Sequence, residues 1–131
     1  MSSGFDDGKK DAPARRSALR GAVDFGHLTQ YTGGDTAIED ELLELFVSNA
    51  GRYLGLMDAA TDAQSWRDAA HGLMGSARGI GAWVVAETAQ QAHEADPTAD
   101  RARRTMIARL RKEIAAVRKT ALARQMSRPA P

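Results

Sequence analysis

The sequence predicts an all-α fold, an antiparallel four-helix bundle with a short N-terminal lid helix, and three observations carry that prediction. Apolar residues recur at three- and four-residue spacings in four long segments. No run alternates with the period of a strand, and the breaks between segments hold glycine, proline and helix-capping residues. A length of 131 residues suits one domain that buries a core without covalent staples. The chain has no cysteine, which excludes disulfides and thiolate metal sites. A net charge of +1 exerts no overall pull toward nucleic acid or membrane. The start is polar and acidic, and no segment is apolar for long enough to span a bilayer, so a cytoplasmic, soluble protein is expected.

Taken in order, residues 1–18 hold Gly4, Gly8, Pro13 and mixed charges with little apolar content, and they read as a disordered tail. The bundle domain is expected over 19–126. A short helix over 23–31, capped by Asp24, would lid one end with Val23, Phe25 and Leu28, and Gly33 and Gly34 would end it. The next helix opens at Thr36 with Glu39 three residues on, a capping-box spacing, and runs through Ile38, Leu42, Leu45, Phe46, Tyr53 and Leu56. Its carboxylates Glu39, Asp40, Glu41 and Glu44 gather at the positive end of the helix dipole. Thr61 and Gln64 repeat the box before a third long segment. Gly79 and Gly81 punctuate the chain ahead of a helix over 82–95. Asp96, Pro97 and Thr98 supply the last turn, with Asp96 as its cap. The final helix shows the clearest seam, Ile107, Leu110, Ile114, Val117 and Ala121. Residues 127–131 carry Pro129 and Pro131 and should fray.

The third segment carries the most information. At the α-helical step of roughly 100° per residue, Trp66, Ala69, Ala70, Leu73, Ala77 and Ile80 share an arc of about 100°, a core stripe. His71 then points roughly 150° away from the stripe's centre, in the company of Gln64, Arg67, Gly75 and Arg78. One turn beyond the histidine, Gly75 removes the side chain that would obstruct another molecule. A helical glycine costs about 1 kcal/mol relative to alanine, and the segment also carries Gly72, so the sequence predicts two such costs beside one exposed nucleophile.

That arrangement resembles the histidine-containing phosphotransfer (HPt) domain of multistep two-component signalling. The family pattern places an alanine before the histidine, a leucine two after it and a glycine four after it. Small residues follow, then a glycine-alanine pair opening the next helix. Here these are Ala70, His71, Leu73, Gly75, Ser76, Ala77, Gly81 and Ala82. The resemblance extends outward through Val23, Asp24, Phe25, Leu28, Gly34, Asp35, Leu42, Leu45, Phe46 and Glu94, and covers about residues 22–122. It implies a carrier, phosphorylated on His71 at the distal nitrogen Nε2, that is not a complete enzyme. It also implies response-regulator receiver domains as partners, including that of a hybrid histidine kinase, which bring the aspartate and Mg²⁺ while this chain binds no cofactor. One departure stands out: the position three after the histidine, usually lysine in the family, is Met74.

The residues themselves fit that chemistry. An unperturbed imidazole titrates near pH 6.5 and is a good nucleophile when neutral. Phosphoryl transfer chiefly needs positioning and neutralisation of charge. The chain holds no phosphate-cradling glycine loop and no acidic cluster around His71, so the missing parts must come from a partner. Arg67 and Arg78 are the cations expected to face an added phosphoryl group, and Met74 would offer an adaptable apolar contact. If Val85, Ala89 and Ala92 form the core stripe of the fourth segment, Val84 and Trp83 approach the surface. Together with Gln64 they are candidates for partner docking, the plain alternative being that Trp83 closes the bundle's end.

Other readings carry less weight. His27 and His93 lack any such setting and read as surface or packing residues. His71, His93, Glu87 and Glu94 do not make a metal site, since ferritin-type bundles use Glu-x-x-His pairs facing inward and none stands here. The last helix is rich in arginine and lysine, but no recognition motif or aromatic interleaving accompanies the charge, so a solvated face is preferred to nucleic-acid binding. A monomer is expected. The rival function is a non-phosphorylated adapter that binds a receiver or kinase, favoured by Met74 and opposed by the intact His71.

Overall fold

A computed structural model describes residues 21–95 and 99–129. Among the described residues five helices follow one another: α1 (Phe25–Thr32), α2 (Thr36–Ala59), α3 (Ala63–Ile80), α4 (Trp83–Glu94) and α5 (Asp100–Ser127). α3 lies between α2 and α4, α5 closes the ring against α2 and α4, and α1 rests on α2 and α3. Short connections after α2 and α3 force antiparallel neighbours, which gives the expected bundle and lid. The expected tail over 1–18 and the turn at Asp96, Pro97 and Thr98 lie outside the described residues. α5 opens behind Ala99 with no side-chain cap.

The core is the union of the inward stripes. All six residues of the α3 stripe, all five of the α5 seam, and Val85, Ala89 and Ala92 of α4 are buried. On α2 the sequence reading is corrected. The buried stripe is Glu39, Leu43, Phe46, Ala50, Leu54 and Met57, whereas Ile38, Leu45 and Leu56 are exposed. A glutamate at a core position hid the true phase of the helix. Glu39 is fully buried and accepts hydrogen bonds from Thr29 (3.0 Å) and Thr32 (2.6 Å) of α1 and from Arg124 of α5 (2.6 Å). Burial pushes its pKa up, but those three donors outweigh burial and hold it below the ordinary value. Arg124 also lies over the Phe25 ring at 4.1 Å, so one guanidinium joins α1, α2 and α5.

Both capping boxes are displaced by one residue. Asp35 caps α2 by accepting from the amides of Ala37 and Ile38, and Asp62 caps α3 by accepting from Ser65. An ionised carboxylate at the N-cap meets both the free amides and the positive dipole end, and so displaces the neighbouring threonine from that role. Asp24 caps α1 as expected, accepting from the His27 amide.

Two contacts fix α3 in depth and direction. The Trp66 indole donates to the Ala92 carbonyl of α4 at 2.7 Å, inside the core. After α3 the chain turns through Gly81 at φ 79°, whose amide bonds to Arg78 while the Ala82 amide bonds to Ala77. The Gly81 carbonyl accepts from the Asp24 amide, and a Cβ at Gly81 would sit 2.8 Å from the Asp24 carbonyl oxygen. Only glycine allows both the left-handed turn and that approach. At the far end α5 continues through Ser127, and Arg128 forms a two-bonded ion pair with Asp40 at 2.5 and 2.7 Å, so ordered contacts reach into the segment expected to fray.

Candidate functional site

His71 stands near the middle of α3, with its side chain exposed between two fully buried core residues, Ala70 and Leu73. Rigid packing on one face therefore presents the imidazole on the other. At Gly75, one turn on, a Cβ would have nothing within 4 Å, so the surface beside the imidazole is open. Arg67 is half-buried one turn before the histidine, and Arg78 is exposed two turns after it, donating to the Gln90 side chain of α4 at 3.1 Å. Gln64 is exposed and donates to Asp68 at 2.6 Å.

Three sequence expectations change. Met74 turns inward, 9 % exposed and part of the core cluster, because its place on the wheel falls at the edge of the buried stripe facing α4. It is therefore no open docking contact. Gly72 serves packing rather than access: a Cβ there would collide with the Tyr53 ring of α2. Trp83 is half-buried and donates to the Asp24 carboxylate at 3.0 Å, with its ring edge-on to His27 at 4.8 Å. It ties the start of α4 to α1 at the end of the bundle, and with Val84 it stands about 15 Å along α4 from the level of His71.

The structure adds one residue that the sequence reading set aside. His93, in the last turn of α4, brings its ring to 5.7 Å from the His71 ring, the two planes tilted by 49°. A signal for this existed. His71 lies eleven residues before Ala82 and His93 eleven after it, so folding α3 and α4 back on each other about that turn puts them at one level.

Among the described residues no group of three or more His, Cys, Asp and Glu is placed to hold a metal ion. Two adjoining cavities of about 320 and 340 Å³ lie along the α2–α5 seam, sharing Val47 and Arg118, on elements that do not carry the histidine pair. No helix among the described residues is long and apolar enough to cross a membrane.

An exposed histidine on a packed helix, beside an open glycine, is the geometry expected of a phosphotransfer domain, and the Hpt domain family matches this chain over residues 41–120. The chain belongs to the Hpt family. As an Hpt protein it has the role of a phosphotransfer carrier in phosphorelay signalling, a role that involves response-regulator receiver domains and histidine kinases. Its fold is similar to the crystal structure of histidine-containing phosphotransfer protein B (HptB) from Pseudomonas aeruginosa PAO1. The TM-score is 0.70 at 26 % identity, covering 82 % of this chain and 97 % of that one. No curated protein sequence matches the Hpt chain.

Proposed function

We propose that His71 accepts a phosphoryl group from the aspartate of one receiver domain and passes it to another. The single observation that carries this reading is the exposed His71 ring held on a packed helix with open space at Gly75. A neutral ring nitrogen attacks phosphorus as the acyl-phosphate P–O bond breaks, and the electron pair leaves with the partner's carboxylate. The partner supplies that aspartate and a Mg²⁺ ion. This chain supplies nucleophile, access and charge, so it acts as a carrier whose chemistry is completed by the receiver. Arg67 and Arg78 are the α3 cations available to the arriving group.

The adapter reading drew its support from Met74. The exposed His71 ring opposes it. Small phosphoramidate donors test the nucleophile directly: wild type is expected to gain one acid-labile, base-stable phosphate and His71→Gln none, with the two equally folded. Phosphate retained by His71→Gln and mapped to His27 or His93 would overturn the assignment. Gly75→Leu is expected to keep its fold and its acceptance from the small donor but to slow acceptance from a receiver, since only the larger partner is obstructed.

A further inference from the structure

A phosphoryl group on His71 adds negative charge at a point where its near neighbour on α3, Met74, is uncharged and buried. The side chain that faces this point from the neighbouring helix is the second imidazole, His93, 5.7 Å away between ring centres. We propose that His93, when protonated, is the counter-cation of the phosphoryl group on His71, which makes the lifetime of the phosphorylated state depend on pH near neutrality. This rests on the phosphorylation of His71 proposed above.

The surroundings fit. His93 lies in the last turn of α4, where the unpaired carbonyls favour a cation. It is half-buried, so its charge is less screened than that of a fully exposed residue, while solvent still delivers its proton. On α3 and α4 the other charged groups are few. On α3, Arg67 and Asp68 stand one turn before His71, and Asp68 is hydrogen-bonded to Gln64. Arg78 is held by Gln90 of α4. On α4, Glu94 follows His93 and Glu87 lies nearly two turns before it, both exposed. From α5, Arg103 binds the Met57 and Ala60 carbonyls, and Arg109 is taken up by Gln91 and Glu113. An imidazole is the side chain whose charge changes between about pH 5 and 8. A phosphoryl charge at this distance favours the protonated ring, so after transfer His93 takes a proton from solvent: an N–H bond forms on the imidazole as an O–H bond of the donating hydronium or water breaks.

The test compares phosphohistidine half-lives in wild type, His93→Gln and His93→Lys after loading with phosphoramidate, together with ¹⁵N spectra of the imidazoles. Phosphohistidine is itself acid-labile, so the decisive quantity is the ratio of half-lives at each pH. The wild-type half-life is expected to exceed that of His93→Gln by about three-fold at pH 6 and to equal it at pH 8.5, while His93→Lys keeps the advantage at both. At pH 7 the His93 ring signals should move toward the imidazolium form when His71 is loaded. A ratio that stays constant with pH, or His93 signals that do not respond to loading, overturns the inference and leaves the carrier reading intact. Failure of every variant to take phosphate on His71 removes both.

Discussion

At Gly72 a methyl group would run into the Tyr53 ring, whereas at Gly75 it would meet open space. Gly75→Ala is therefore expected to stabilise the protein by about 1 kcal/mol through helix propensity alone. In Gly72→Ala that gain should be cancelled by displacement of the tyrosine, and it should return when Tyr53→Ala is added. Chemical denaturation of these three variants and of Tyr53→Ala alone measures this, and equal stabilisation at both glycines in the wild-type background would contradict the packing. The sequence showed two costly glycines on one helix but not their separate reasons, because the Tyr53 contact comes from another helix. His71 itself was legible, since one helix and one periodicity set its exposure. His93 was not read, because its meaning depends on pairing two helices.

The helices show where one-dimensional patterns suffice. On α3 and α5 the buried stripe is apolar throughout, so period and phase could be read together. On α2 the phase failed at Glu39, a charge whose partners come from α1 and α5, and at both caps a neighbouring aspartate took the place of the threonine. The ion pair of Glu39 with Arg124 is buried on one side and 26 % exposed on the other. Arg124→Met is expected to destabilise by about 2 kcal/mol, toward the low side for breaking a buried pair because part of the arginine already meets water. Combining it with Glu39→Gln should recover part of the loss, since no unpaired charge then remains in the core. A double variant that is worse by the sum of both single losses would contradict that coupling.

Over the whole molecule, the acidic start of α2 and the basic end of α5 neutralise each other through Glu39–Arg124 and Asp40–Arg128. Arg128 beside Asp40 holds that carboxyl below its usual range, against burial. With Glu39 also lowered, folding stability is fully present above the ordinary carboxylate pKa of about 4 and is lost as pH falls through the depressed folded values. Glu113 acts the other way: burial raises its pKa, so its protonation adds stability as pH falls. Thermal melts between pH 7 and 3 should show a net acid loss that is smaller in Glu39→Gln, and an unchanged acid slope would contradict the role given to that carboxylate. The central claim concerns the opposite side of the bundle, where α3 presents its histidine. Its most direct measurement is single-turnover transfer from radiolabelled receiver phosphoproteins, screened across the response regulators of the source organism, with the acceptor site mapped on the Hpt chain. The account predicts that label leaves a receiver aspartate and appears on His71, and that it then moves to a second receiver; a receiver that binds tightly while no label ever reaches His71 would contradict it.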